Sequence, residues 1–205
     1  RMGYDGKGQV IIQNTKLPKY NISFKKNKYL LEGIIEFEKE ISIIAVRSKQ
    51  GKVTCFEPSE NYHKLGILRE SKFPANITNS NKIRAKKIAT KIANALNVIG
   101  LIAIEMFLCK DNKLIVNEIA PRPHNSGHWT IDACNISQFE ALVRTVFDLP
   151  LPKIKYLNNC KMVNVLGENF NQITKSLYKS NHVIHIYGKD KLEPLRKMGH
   201  INILN

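Results

Sequence analysis

The chain has 205 residues, of which 43% are hydrophobic, and a formal net charge of +15 at pH 7. This length suits one sizeable core or two small ones, and the apolar content is typical of a globular protein rather than a disordered chain. No apolar run approaches the roughly 20 residues that cross a bilayer, and the N-terminal residues do not resemble a signal peptide. We therefore expect a cytoplasmic protein with no membrane partner.

Four widely spaced cysteines include no C-x-x-C pair, so the sequence favours neither a zinc site nor a disulfide framework. We expect all four to be reduced. Cys134 lies near His124 and His128, which would suit a thiol nucleophile, but no third orienting group is evident, and a packing role is favoured.

The positive charge raises the possibility of a nucleic-acid partner, because clustered Lys and Arg neutralise phosphates. Here the lysines are scattered, and aromatic residues are not concentrated among them. These features argue against a nucleic-acid partner, although a basic nucleic-acid-binding module stays open as an alternative.

In chain order, the first predicted element is a glycine-rich turn at residues 3–9 that leads into a strand. Alternating apolar residues predict two strands within residues 29–47, and residues 53–56 predict a short one. Apolar residues at helical spacing (Ile83, Ile88, Ile92 and Leu96) predict a helix over residues 81–97, capped by Ser80 or Asn79.

Two apolar runs, residues 98–108 and 114–120, flank a turn-forming segment and predict a β-hairpin that ends at Pro121. A second helix is predicted over residues 138–147, followed by a proline-containing linker at 148–152. Short strands are predicted at residues 162–166, 183–187 and 201–204.

The hairpin carries two glutamates in otherwise apolar strands. A turn centred between Asp111 and Asn112 places Glu105 directly opposite Glu118, on one face with Ala103, Phe107, Val116 and Ala120. Like charges at cross-strand positions destabilise a sheet, and a divalent cation would remove that cost. Oxygen ligands suit magnesium, so the pattern favours a magnesium site over two solvated charges.

The segment around Glu118, NEIAPRPHNSGHWT at residues 117–130, resembles the magnesium-binding core of the 5-(carboxyamino)imidazole ribonucleotide synthases, a family of ATP-grasp ligases. The opening GYDGKGQ and the late YGK and RKMGH segments agree, so the resemblance spans the chain. A formate-dependent phosphoribosylglycinamide formyltransferase of the same superfamily is the nearest rival, but its Arg-Pro-His segment continues with Asp-Thr-Gly.

The resemblance implies an α+β fold: an ATP-grasp catalytic lobe with an antiparallel sheet and helices, followed by a small C-terminal β module. Residues 1–31 would belong to the small lid lobe with its glycine-rich loop, 32–150 to the catalytic lobe and 151–205 to the β module. We expect the family's N-terminal domain to be absent from this chain, which would leave it incomplete for catalysis.

The resemblance also implies an activity, a homodimer and the cofactors ATP and magnesium. ATP and bicarbonate would form carboxyphosphate, which carboxylates 5-aminoimidazole ribonucleotide. Metal ligands would be Glu105 and Glu118; catalytic residues Asp5, Arg122, His124 and Asn125; ribonucleotide ligands Tyr4, Asp5, His124, Asn125, Lys189 and Arg196; and ATP-binding residues Gly6, Lys7, Gly8, Gln9, Glu32, Gly33, Ile34, Ile35 and Glu40.

Two positions depart from the family pattern. Ala120 stands two residues after the second glutamate, where many ATP-grasp enzymes have an asparagine, so the third metal ligand stays open. Leu195 stands where a glycine is expected before Arg196, which leaves the local turn open.

Overall fold

The computed structural model describes residue 12 and residues 30–205, and the chain divides into two units, residues 1–35 and 36–205. The predicted glycine-rich turn at residues 3–9 lies outside the described residues. In the first unit, Ile12 and residues 30–35 have no regular secondary structure.

Residues 36–205 form one antiparallel sheet with helices, which confirms the expected α+β class. The strands are β1 (Lys39–Arg47), β2 (Val53–Cys55), β3 (Ser59–Lys64), β4 (Ile67–Phe73), β5 (Gly100–Leu108), β6 (Leu114–Ala120), β7 (Cys160–Leu166), β8 (His182–Ile186) and β9 (Lys197–Leu204). Their order in the sheet is β6-β5-β1-β3-β4-β7-β9-β8, with β2 paired to β1. The helices are α1 (Asn79–Ala95), α2 (Thr130–Ala133), α3 (Gln138–Val146) and α4 (Gln172–Ser176).

Helix α1 confirms the first predicted helix but begins earlier and buries a different face. Its N-cap is Thr78, not Ser80 or Asn79, and the Thr78 side chain accepts a hydrogen bond from the Asn81 amide at 3.2 Å. An alanine stripe (Ala85, Ala89 and Ala93) is fully buried against the sheet, whereas Ile83 and Leu96 are exposed. Small residues allow the helix to approach strands β1 and β2 closely.

The opposite face of the sheet packs around Trp129, which is buried and stacked on Phe73 with ring centroids 3.9 Å apart. Phe56, Ile44 and Ile136 belong to the same cluster. Trp129 follows directly after the segment 117–128, so this cluster anchors the loop that carries the predicted site.

The strand predictions were right for the central hairpin and for the three late strands, and wrong in two places. One strand, β1, occupies the described residues 30–47 instead of two. The hairpin β3–β4 was not predicted, because several of its buried residues are polar: Ser59, Asn61 and Ser71. Ser71 Oγ donates to Asn61 Oδ1 at 2.8 Å, whereas Asn61 Nδ2 is buried without a partner among the described residues.

The late strands extend the same sheet, because β7 pairs with β4 from Glu70↔Val163 to Phe73↔Cys160. Strand β9 then pairs with β7 and β8. The predicted boundary at residue 150 stays a prediction. None of the helices in the described part of the chain combines the length and apolar content that crossing a bilayer requires.

Candidate active site

The hairpin β5–β6 brings the two glutamates together through a bulge. Near the turn Met106 pairs with Val116, and this register would place Asn117 opposite Glu105. The register shifts by one residue at that point, so Glu118 instead pairs with Glu105, and Ala120 pairs with Ala103. The predicted Glu105–Glu118 pair is therefore confirmed.

The bulge also corrects the predicted faces of the hairpin. Val116 pairs with Met106, so it shares a face with Met106 and not with Glu105. The turn between β5 and β6 contains a residue in the left-handed conformation, Asn112, with φ 61°. The Cys109 amide closes this turn by donating to the Lys113 carbonyl at 2.9 Å.

Glu105, Glu118 and His124 offer ligand atoms that lie within 4.8 Å of one another. Glu105 is buried, and its Oε1 has no hydrogen-bond partner among the described residues; it lies 3.7 Å from His124 Nδ1. Burial raises the pKa of Glu105 to about 7, and the Glu118 and Glu40 carboxylates add to this rise while His63 opposes it. An orphaned buried oxygen beside a second carboxylate fits a hard divalent cation.

His124 is held in place by Gln138, the first residue of α3. The His124 amide donates to Gln138 Oε1 at 2.9 Å, and Gln138 Nε2 donates to the His124 carbonyl at 2.7 Å. Gln138 Nε2 also lies 3.0 Å from His128 Nδ1. The sequence did not reveal this role, since a glutamine in the first turn of a helix is ordinarily exposed.

The ring of His124 is neutral and hydrogen-bonded. Its Nδ1 lies 2.8 Å from Ser126 Oγ, while burial and the Arg122 cation lower its pKa to about 4. Arg122 is exposed and donates to the Pro123 carbonyl at 3.1 Å, and Asn125 Nδ2 is buried without a partner among the described residues. These three predicted catalytic residues therefore lie on one loop beside the carboxylates.

Glu40, predicted to bind ATP, lies on β1 and forms an ion pair with His63 on β3. Burial alone would lower the pKa of His63, but the Glu40 carboxylate outweighs it and raises the pKa. Glu105 acts on the same imidazole. His63 thus connects the predicted ATP residue Glu40 with the carboxylate pair, and the sequence had given it no such role.

Lys189 and Arg196, the predicted phosphate ligands, lie on the connection between β8 and β9. Lys189 is exposed and donates to the Lys197 carbonyl at 2.7 Å; Arg196 is partly exposed and lies 3.8 Å from Glu193. Lys197, at the start of β9, was not predicted as a site residue. Burial lowers its pKa, Glu105 opposes this, and its charge in turn acts on His63, His124 and His128.

The turn before Arg196 is built without the expected glycine. Leu195 has φ 62°, in the left-handed region that glycine adopts at no steric cost. Its amide donates to Glu168 Oε2 at 2.7 Å, a contact that helps to hold the turn.

Several predicted residues are not brought to this site by the described structure. Tyr4, Asp5, Gly6, Lys7, Gly8 and Gln9 lie outside the described residues. Glu32, Gly33, Ile34 and Ile35 belong to the first unit, and their role in binding ATP stays a prediction. Cys134 is buried, which raises the pKa of its thiol to about 12 and suits the favoured packing role.

Family comparisons bear on both halves of the chain. Residues 1–139 match the model of the ATP-grasp domain, and residues 160–205 match that of the phosphoribosylaminoimidazole carboxylase C-terminal domain. The chain belongs to the ATP-grasp family. Residues 117–130, which resemble an ATP-grasp metal core, lie within the part of the chain that matches this domain.

Curated relatives agree with this ATP-grasp assignment. An N5-carboxyaminoimidazole ribonucleotide synthase of Brucella melitensis is 42% identical over 204 residues, which cover 98% of this chain and 56% of the relative. The enzyme of that name from Bacillus subtilis is 41% identical, covering 100% and 54%. The chain thus spans about half the length of the curated relatives that it matches.

Solved ATP-grasp structures show the same fold. An ADP complex of an N5-carboxyaminoimidazole ribonucleotide synthetase superposes with a TM-score of 0.81 at 42% identity, covering 84% of this chain and 46% of the other. The Aspergillus clavatus enzyme, in complex with ADP and 5-aminoimidazole ribonucleotide, has a TM-score of 0.79 at 33% identity, covering 82% and 47%.

Proposed function

We propose that the protein carrying this chain uses ATP and bicarbonate to carboxylate 5-aminoimidazole ribonucleotide in purine biosynthesis. The product is 5-(carboxyamino)imidazole ribonucleotide, and ADP and phosphate are released. The observation that carries the proposal is the cluster of Glu105, Glu118 and His124. The residues that follow His124, Asn125-Ser126-Gly127, distinguish these ligases from the formate-dependent rival, which has Asp-Thr-Gly there.

Magnesium is the proposed metal at Glu105 and Glu118. A magnesium ion there would neutralise charge on the ATP phosphates. Its fit follows from the orphaned Glu105 oxygen and from the cross-strand pairing, which aligns two oxygen donors on one face. Ala120 offers no ligand atom, so His124 is the remaining candidate for a third contact among the described residues.

Glu40 and His63 are proposed to orient the nucleotide. A carboxylate on β1 can accept hydrogen bonds from the ribose hydroxyls, and the His63 contact fixes its position. Because ATP-dependent phosphoryl transfer depends mainly on alignment and charge neutralisation, a pre-positioned acceptor is useful before any bond is broken.

The loop of residues 122–125 is proposed to hold carboxyphosphate. Arg122 supplies a cation, while His124 stays neutral near pH 7 because its pKa is lowered to about 4. The neutral imidazole and the Asn125 amide can hydrogen-bond the carboxylate oxygens without a proton transfer. Lys189 and Arg196 would bind the ribonucleotide phosphate, with Tyr4 and Asp5 contacting its base.

Other parts of the proposal rest on the resemblance alone: a cytoplasmic location, a homodimer, the lid and hinge residues for ATP, and the three-part domain division at residues 31 and 150. Size measurement of the native protein in solution tests the homodimer directly.

The deciding experiment measures ADP release by the native protein with magnesium, ATP and bicarbonate, with and without 5-aminoimidazole ribonucleotide. We expect release to depend on the ribonucleotide, and His124→Ala to reduce that stimulation at least about tenfold while leaving a measurable rate. His182→Ala is the matched control, because His182 lies on β8 and is only partly buried.

Two other outcomes would reassign the protein. Stimulation by formate and glycinamide ribonucleotide instead would transfer it to the formyltransferases. Silence in both assays, with salt-sensitive retention of RNA or DNA, would favour the basic nucleic-acid-binding module.

A further inference from the structure

A partly buried polar network joins the last two strands to the loop that carries His124. We propose that Asp132, His185 and Asn202 are positioning residues, which transmit the placement of the β8–β9 connection to His124 through His128 and Gln138. The inference rests on the proposed function, because Lys189 and Arg196 on that connection are the proposed phosphate ligands.

The network is centred on the carboxylate of Asp132 in the short helix α2. Its Oδ2 accepts hydrogen bonds from His185 Nε2 on β8 at 2.8 Å and from Asn202 Nδ2 on β9 at 2.6 Å. Asn202 is fully buried, and its Nδ2 also donates to the His128 carbonyl at 3.1 Å. The Asn202 amide therefore ties α2 and β9 to His128, four residues after His124.

Ring contacts reinforce this link. His185 stacks on His200 with centroids 4.4 Å apart and an interplanar angle of 13°, and His200 lies 4.9 Å from the ring of His128. Tyr187 Oη lies 2.8 Å from His200 Nδ1, which fixes the His200 ring from the side of the β8–β9 connection. Tyr187 stands only two residues before Lys189.

His128 completes the path to the site. Its Nδ1 lies 3.0 Å from Gln138 Nε2, and that same amide group bonds both the amide and the carbonyl of His124. Displacement of His128 would therefore move Gln138 and leave buried main-chain groups of His124 unpaired, which is costly. Packed networks of this kind have discrete arrangements, so a small shift at one end is felt at the other.

The test uses the native protein and the variants Asp132→Asn and His185→Phe, with His182→Phe on the same strand as control. We expect the first two to lower the kcat of ribonucleotide-stimulated ADP release at least tenfold while leaving the KM for ATP unchanged, and the control to match the unmodified protein. His185→Phe keeps a ring to stack on His200 and loses the bond to Asp132.

A double-mutant cycle separates positioning from a general loss of structure. If Asp132 acts through His124, Asp132→Asn lowers kcat less than twofold in a His124→Ala background. Equal losses in both backgrounds, or a lower Tm with kcat intact, would overturn the proposal.

A readout that needs no turnover keeps the inference separate from the proposed function. The ring resonances of His124 in histidine-labelled protein should shift in Asp132→Asn and stay fixed in His182→Phe. Unshifted His124 resonances in Asp132→Asn would show that Asp132 and His124 are not coupled. If the unmodified protein shows no ribonucleotide stimulation, the proposed function fails while this measurement still decides the coupling.

Discussion

Glu118 stands opposite Glu105 because Asn117 is the extra residue of a bulge in β6. A regular continuation of the register near the turn would have paired Glu105 with an amide. Bulges near functional sites commonly redirect side chains in this way. Here the result is two carboxylates on one face of an edge hairpin.

We expect Glu105→Gln and Glu118→Gln each to weaken magnesium binding at least about tenfold, because each removes an anionic oxygen ligand. Calorimetric titration of the native protein measures the affinity. Glu140→Gln is the control, since Glu140 is exposed and paired with Arg144 on α3. An unchanged magnesium affinity in Glu118→Gln would contradict the proposed metal site.

Gln138→Ala should lower the free energy of unfolding by about 2–4 kcal/mol, because it leaves the amide and carbonyl of His124 buried without partners. Gln138 is fully buried, whereas Gln172 at the start of α4 is exposed. Urea unfolding of Gln138→Ala and of the control Gln172→Ala measures the difference. Similar losses of unfolding free energy in the two variants would show that the hydrogen bonds of Gln138 to His124 do not stabilise the fold.

Leu195→Gly should raise the free energy of unfolding by about 0.5–1 kcal/mol. The substitution relieves a left-handed leucine at φ 62°, and this gain exceeds the extra chain entropy of glycine in the unfolded state. Leu192→Gly is the control, because Leu192 is similarly exposed and does not have a positive φ. A Leu195→Gly protein as weakened as the control would show that the turn is unstrained.

Acid should destabilise the fold below about pH 6.5. Burial lowers the pKa of His128 to about 4 and that of His200 to about 3, from an ordinary 6.5. The unfolded chain therefore takes up protons first as the pH falls, and stability declines by up to about 1.4 kcal/mol per pH unit for each histidine. The loss of stability accumulates as the pH falls from the ordinary histidine pKa to the lowered pKa of each residue.

Urea unfolding between pH 7.5 and pH 5 measures that decline. His200→Phe should give a shallower dependence than the unmodified protein, because it removes one of the histidines whose pKa burial lowers. Equal slopes would mean that His200 is not held neutral in the folded state.

The extent to which the sequence predicted the fold depended on whether inward-facing residues are apolar. Helix α3 carries Ser137 as its cap and an apolar face, and it was predicted within one residue. The β3–β4 hairpin buries Asn61 and Ser71, polar residues that the sequence alone would place at the surface. Helix α1 was found, but its buried alanines were overlooked in favour of larger and more exposed residues.

The candidate site divides in the same way. Glu105 and Glu118 could be predicted, since two charges in apolar strands are conspicuous. His63 and Lys197 could not, because each lies far along the chain from the residues on which it acts; Gln138 could not, because a glutamine in the first turn of a helix is ordinarily exposed. A lone histidine, glutamine or lysine shows its role only once the sheet has brought the strands together.

The β4–β7 ladder makes recombination of this protein difficult. Residues 1–139 match one domain model and residues 160–205 match another, and strands from both segments pair in a single sheet. A chimera that exchanged the second segment would have to reproduce the pairing of β7 with β4. Otherwise the unpaired edge of β4 would become a template for aggregation.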